Sequence, residues 1–270
     1  MSQRNSYPPG APCWVDTPQP DPRAAMRFYE GLFGWEFSGP GPMPDDPAGQ
    51  YYVARLRGRD VAGVGSVPEL GAPPVTAWST HVAVASAAKS ATDARAAGGA
   101  VIFPPFDALP AGRMAVLADP SGAVSCAWEP ADRQGARLVN EPRARAMSTL
   151  ITSEIEACAA FYGKLFGWGM DPFEAGGPDV SLCRLPGYVG GELRQPVPRD
   201  VVAVMAPLTS TGPSRWNVDF WIEDADAAAS AAQKLGGSIV VPPFEVTGFR
   251  TAVLQDPQGA IFSISQRRNI

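Results

Sequence analysis

The sequence predicts an α+β protein made of two tandem domains, each holding two βαβββ units whose strands form a curved sheet around a cleft. Three observations carry that expectation. The chain repeats itself, each repeat changes its hydrophobic period in the same order, and glycine or proline marks the changes. Phe28-Tyr29-Glu30-Gly31-Leu32-Phe33-Gly34-Trp35 returns 133 residues later as Phe161-Tyr162-Gly163-Lys164-Leu165-Phe166-Gly167-Trp168. The run from Gly98 to Phe106 returns from Gly236 to Phe244 at an offset of 138, and Asp119-Pro120-Ser121-Gly122-Ala123 returns as Asp256-Pro257-Gln258-Gly259-Ala260 at 137. Three matches in one order at nearly one offset mark a duplication.

Within the first repeat the elements follow in order. Cys13 to Thr17 alternates as a strand does. Ala25, Phe28, Tyr29 and Leu32 recur at helical spacing over Pro22 to Phe33, with Asp21 placed to cap the first turn, Pro22 inside it and Gly34 at the end. Strand-like runs follow at Tyr51–Leu56 and Val61–Val67. The order then restarts with a strand at His81–Ala85, a helix from Ala87 to Ala97 closed by Gly98-Gly99, and strands at Val101–Phe103, Arg113–Leu117 and Ala123–Trp128. One helix covers one face of a four-stranded unit, so the other face must meet a sister unit or a ligand. The expected divisions are a tail at 1–11, a first domain at 12–130, a linker at 131–145 and a second domain at 146–270. The linker region is charged, carries two prolines and lacks apolar periodicity.

Composition removes several function classes. The balance of 22 basic and 27 acidic residues, with no dense basic run, argues against a nucleic-acid groove or a polybasic membrane patch. No window approaches a membrane span. Four cysteines without a C-x-x-C pair, behind a polar start, are read as free buried thiols in a reduced, cytoplasmic protein, a monomer or homodimer. The single histidine, His81, is too few for the two-histidine iron set or for most catalytic zinc sites. No P-loop, G-x-G-x-x-G after a strand or G-x-S-x-G is present, which argues against nucleotide use and an α/β-hydrolase.

The FY-x-x-LFGW helix ends, the Ala-rich helices closed by Gly-Gly and the DP-x-G turns resemble the vicinal oxygen chelate superfamily of glyoxalases, bleomycin-resistance proteins and extradiol dioxygenases. More narrowly, the chain is similar to two-domain actinobacterial members labelled glyoxalase-like or hydroxylase. The resemblance implies a pair of glyoxalase-like domains, with metal-ligand slots on the first strand and on a later strand of each unit. Those slots fall on Trp14 and Met147, near Arg55 and near Cys183 or Arg184, on Ser79 (or, with a shorter gap, His81) and Asn217, and on Cys126 and Ser263. Members that bind a metal carry mostly His, Gln or Glu there. These residues are mostly apolar, cationic or hydroxylic, so neither a metal nor another cofactor is expected.

The candidate site residues follow from strand alternation. His81 shares a face with Ser79 and Ala83, where an imidazole suits general acid–base work or, equally, a backbone hydrogen bond. Asp16, on the face of Trp14, is its expected catalytic partner. Asn217, Asp219 and Trp221 share one face and suit orienting contacts to an organic ligand. Trp14, Trp128 and Trp221 can each stack on an aromatic ligand, burying on the order of 200 Å², or fill the core. An inward Arg55 would hold a carboxylate, phenolate or phosphate, while an outward one would form a surface ion pair. Cys126 shares a face with Trp128 and would need His81 as its base to act as a nucleophile. The function expected is metal-independent binding or modification of a small, aromatic or polycyclic molecule by isomerisation, cyclisation or ring opening, in secondary metabolism or self-resistance. The alternatives are a metal-dependent glyoxalase-type lyase or isomerase using Asp16, His81 and Asp219, a non-catalytic drug-sequestering protein, and a protein with tryptophan-plugged clefts that works through its surface.

Overall fold

The computed structural model describes residues 3–43, 46–67, 76–173, 179–190, 198–209, 211–246 and 248–268. The first repeat contains β1 (Pro12–Gln19), α1 (Pro22–Phe33), β2 (Glu36–Met43), β3 (Asp46–Leu56), β4 (Arg59–Ser66), β5 (Ser79–Ala83), α2 (Ala87–Ala96), β6 (Ala100–Ala108), β7 (Gly112–Ala118) and β8 (Val124–Pro130). The second repeat contains β9 (Arg145–Thr152), α3 (Ile155–Phe166), β10 (Gly169–Pro172), β11 (Ser181–Arg184) and β12 (Val201–Pro207). It continues with β13 (Arg215–Trp221), α4 (Ala225–Lys234), β14 (Ser238–Val246), β15 (Phe249–Gln255) and β16 (Ile261–Arg267). Each repeat therefore reads βαβββ twice and supplies one eight-stranded sheet. The strand orders are β2-β3-β4-β1-β5-β8-β7-β6 and β10-β11-β12-β9-β13-β16-β15-β14.

Local chemistry sets α1 as expected. The Asp21 side chain accepts from the Ala24 N–H at 3.0 Å, and Gly34 closes the helix in the left-handed region at φ 68°. The βαβββ pattern calls for a third strand after α1, and it falls at β2, whose sequence Glu-Phe-Ser-Gly-Pro-Gly-Pro-Met gives no strand signal of its own. It forms at the edge of its sheet, where a proline removes no hydrogen bond that a second neighbour needs.

Contacts divide the chain into two compact bodies that cut across the repeats. The first comprises the residues up to Trp14 with Ser79–Gly135 and Met147–Asn217; the second comprises Val15–Trp78, Ala136–Ala146 and the residues from Val218 onward. Each body thus joins one βαβββ unit from either repeat, and the duplicated motifs explain how. In the second body the Phe28 ring seats on Gly237, where a Cβ would lie 2.9 Å from it. The Tyr29 hydroxyl donates to Asp256 Oδ2 at 2.8 Å, and Trp78 Nε1 donates to the Tyr29 oxygen at 3.0 Å. Gln19 Nε2 also donates to Asp256 Oδ2 at 2.8 Å, while Oδ1 accepts the backbone N–H groups of Gln258 and Ala260 at 2.9 Å each. In the first body Phe161 seats on Gly99, and Tyr162 donates to Asp119 Oδ2 at 2.9 Å while accepting from Trp216 Nε1 at 3.0 Å. Burial first, and the facing carboxyl second, push both tyrosine hydroxyls well above the usual phenol range. The FY pair of each repeat is therefore the socket for the Gly-Gly and DP-x-G elements of the other.

The segment expected as a linker is packed. Leu138 and Ala144 are buried, Trp35 Nε1 donates to the Arg143 carbonyl at 2.8 Å, and the Arg143 N–H donates to the Trp221 carbonyl at 2.6 Å. The expected tail is also tied down: Trp168 Nε1 donates to the Gly10 carbonyl at 2.7 Å.

The core of the second body holds Val15, Trp78, Val218, Phe220, Phe262 and Ile264 together with the inward faces of α1 and α4. By alternation, Asp16, Asp219, Trp221, Ser263 and Ser265 point to the sheet faces that carry no helix. In the first body strand alternation puts Thr80, Val82 and Ala127 on one face and His81, Cys126 and Trp128 on the other, and all six are buried. The four cysteines are free and buried, and among the described residues no helix is long and apolar enough to cross a membrane.

Candidate functional site

In the first body, β5 and β8 run parallel with His81 opposite Cys126 and Ala83 opposite Trp128. His81 and Trp128 meet edge to face, with ring centroids 6.3 Å apart. Trp128 rests on Gly112, where a Cβ would lie 2.7 Å from the indole, and its Nε1 donates to the Arg133 carbonyl at 2.9 Å. The Arg133 guanidinium lies 5.3 Å over the Trp14 ring. Arg133, which the sequence did not single out, thus links Trp14 to the His81, Cys126 and Trp128 group. Trp14 and Trp128 are only 4% and 7% exposed. Their rings are covered, by a cation and by backbone, rather than presented as open stacking surfaces.

In the second body, Asp16 on β1 lies in parallel register with Gly63 on β4 and accepts from the Tyr51 hydroxyl at 3.0 Å. Arg55 takes the second of its two expected readings. The β3–β4 register shifts between Ala54 and Arg55, and Arg55 Nε donates to Asp60 at 2.9 Å with 44% of the arginine side chain exposed. Arg55 is a surface ion pair.

Asp219 on β13 pairs in register with Ser263 on β16, and its Oδ1 accepts from Ser265 Oγ at 2.8 Å. Thr251 Oγ1 lies 3.1 Å from Ser265 Oγ and, because the serine proton is given to Asp219, supplies the next donor in the chain. Burial pushes the Asp219 carboxyl up to about 7, against the opposing pull of the Ser265 bond. Trp221 follows on the same face, half-buried, and Asn217 precedes it, buried at 8% exposure. Ser265 and Thr251 were not foreseen from the sequence.

The positions that the resemblance marks as ligand slots do not fit a divalent ion. Arg184 bridges Asp171 at 2.5 Å and Asp200 at 2.7 Å, keeping a cation where a donor would stand. Burial holds the Cys183 thiol up at about 12, so it stays neutral rather than becoming a thiolate ligand. Trp14 lies under a guanidinium. Among the described residues, no group of three or more His, Cys, Asp or Glu side chains converges. An open groove of about 1010 Å³ in the first body, lined by Thr152–Ala157, Pro172 and Phe173 among others, contains none of the candidate residues.

Residues 14–128 and 146–265 each match the family model described as a glyoxalase-like domain. The chain belongs to the glyoxalase-like family. With that family come the tandem domains and the vicinal oxygen chelate superfamily. Mycobacterium tuberculosis CFP32, a protein named as a glyoxylase, is 35% identical to this glyoxalase-like chain over 270 residues, covering 98% of this chain and 97% of the relative. The anthracycline biosynthesis protein DnrV of Streptomyces peucetius is 33% identical over 278 residues, covering 97% and 95%. Among solved structures, the Mn(II)-bound glyoxalase of Novosphingobium aromaticivorans shares the fold at a TM-score of 0.64 and 15% identity, covering 98% of this chain and 83% of that one. The 2,3-dioxygenase LapB of Pseudomonas sp. KL28 does so at 0.62 and 13%, covering 96% and 92%.

Proposed function

We propose that this glyoxalase-like protein binds a small aromatic or polycyclic molecule and modifies it by proton transfer, as in isomerisation, cyclisation or ring opening, without a divalent metal. The observation that carries the reading is Asp219, a carboxyl pushed up to about 7 on a helix-free sheet face, held by Ser265 and followed on that face by Trp221. A carboxyl in that range can give and take a proton near neutral pH, and its protonated form can donate to a ligand carbonyl. Proton transfer of this kind needs no Lewis acid, which agrees with the poor fit of the ligand slots to an ion. The relative named for anthracycline biosynthesis supports a ligand with fused planar rings. We assign acid–base roles to His81 in the first body, with Cys126, Trp128 and Trp14 behind it and Asn217 as a ligand contact of that body, and to Asp16 in the second body, with Trp221 as a ligand contact there. We place the protein in the cytoplasm, as a monomer or homodimer serving secondary metabolism or self-resistance.

Titration of chelator-treated protein with 2-hydroxyanthraquinone, followed by tryptophan fluorescence, tests this. Saturable quenching is expected, unchanged by chelation and weakened about tenfold by Asp219→Ala. Absence of saturable quenching overturns the aromatic ligand. Quenching lost on chelation and restored by Mn(II) overturns metal independence.

A further inference from the structure

The strands β13, β16, β15 and β14 stand side by side in the second body, with Phe220, Ile264, Ala252 and Leu254 in its core. The residues between these share the helix-free face, and strand register sets them in two rows. Trp221 lies opposite Ser265, Ser265 opposite Thr251 and Thr251 opposite Phe244; beside them run Asp219, Ser263, Val253 and Val241. The outer end of both rows is apolar and open, with Phe244 41% and Val241 39% exposed. The hydroxyls at the centre are turned one way. Thr251 gives its proton to Ser265, and Ser265 gives its own to Asp219 Oδ1, so neither has a proton left for a ligand.

The remaining donors of this chain of contacts are Trp221 and Asp219. Trp35, Trp78, Trp128, Trp168 and Trp216 each give the indole N–H to a protein oxygen. Among the described residues Trp221 gives its N–H to no acceptor and meets no other aromatic ring, and it is half-buried with that N–H still accessible. An indole nitrogen can only donate, so what it lacks is an acceptor. Asp219 Oδ2 is likewise accessible and without a partner among the described residues. Because Oδ1 takes the Ser265 proton, a proton on this carboxyl sits on Oδ2, and burial, which pushes the group up to about 7, favours keeping it there.

We infer that the ligand presents a ring carbonyl to this face, its oxygen held by the Trp221 N–H and the Asp219 Oδ2–H and its ring plane resting on Phe244 and Val241. The inference rests on the aromatic-ligand reading above and adds the functional group recognised, that of a quinone or aryl ketone. Trp221 and Asp219 are two residues apart on one strand face, roughly 7 Å at Cα, a span that two side chains of this size close onto one oxygen. A carbonyl oxygen brings two lone pairs and no proton, and so meets both donors at once. A ring without a carbonyl leaves both to water.

A matched pair of probes on one ring skeleton, 2-hydroxyanthraquinone and 2-hydroxyanthracene, tests this in mildly acidic buffer that keeps both phenols neutral and Asp219 protonated. Equilibrium dialysis, with each probe measured by its own absorbance, does not depend on which tryptophans the protein retains. The wild-type protein is expected to bind the quinone about tenfold more tightly, the worth of about one net hydrogen bond. Trp221→Phe, which keeps an aromatic ring and removes the N–H, should bring the two affinities within about twofold of each other. Asp219→Leu should shrink the preference, and Asp219→Asn, whose amide still donates while its oxygen takes the Ser265 proton, should keep it. Equal binding of both probes by the wild type overturns the inference alone and needs no variant. So does a preference that survives Trp221→Phe or Asp219→Leu, or one that Asp219→Asn destroys. Binding of neither probe overturns the aromatic-ligand reading and the inference with it.

Discussion

Asp256→Ala is expected to lower the stability of the protein by about 4 kcal/mol, a large part of the roughly 5–15 kcal/mol that holds a typical domain folded. The carboxylate is 3% exposed and accepts four hydrogen bonds, from Tyr29, Gln19 and the backbone of Gln258 and Ala260. Alanine leaves the Tyr29, Gln19 and Ala260 donors buried without this acceptor and the Gln258 N–H part-buried, and each buried donor costs about 1–3 kcal/mol when water cannot reach it. Asp256→Asn separates the contributions. Its carbonyl oxygen can still take the two backbone N–H groups, but its amide faces Tyr29 and Gln19, so a loss of about 1–2 kcal/mol is expected. Urea midpoints of the two variants check this, and Asp256→Ala unfolding at the wild-type midpoint would show that the DP-x-G turn is not the clasp. The effect should reach both halves of the second body, because this turn belongs to one repeat and its tyrosine to the other.

That exchange also marks the limit of what the sequence could reveal. The duplicated FY, Gly-Gly and DP-x-G motifs were plain from their offsets, and so were the ends of α1, because Asp21, Pro22 and Gly34 act through local backbone chemistry. Which copy of each motif meets which was not readable, since either pairing satisfies the same residue types. Charge and proline along 131–145 suggested a tether, whereas Leu138 and Ala144 are buried and Arg143 bonds through its backbone to Trp35 and Trp221. The site was legible in part. Alternation put His81, Cys126 and Trp128 on one face, and Asp219 and Trp221 on another. It could not choose between the two readings of Arg55, nor foresee that Arg133 would cover Trp14, because both depend on registers and loop paths with no local code.

Asp219→Asn should make the protein more stable in neutral and alkaline buffer while impairing its proposed chemistry. Burial raises the carboxyl from 3.8 in the unfolded reference to about 7 in the folded protein. Below the lower value both states hold the proton and nothing is lost. Through the interval the unfolded chain releases its proton while the folded one retains it, so stability falls as pH rises and levels off above the folded value. A shift of this size corresponds to about 4 kcal/mol at full burial, and the half-buried position reduces that to about 2 kcal/mol. Asparagine carries no proton to lose and still offers Ser265 an acceptor. The variant should therefore match the wild type near about pH 4 and melt about 5 °C higher near about pH 8, as thermal unfolding at the two conditions will show. A stabilising change at a polar residue is what a group retained for chemistry rather than for packing should give. Identical melting of the two proteins at both conditions would instead mean that water reaches the carboxyl, and Asp219 would then lose its claim to proton transfer at neutral pH.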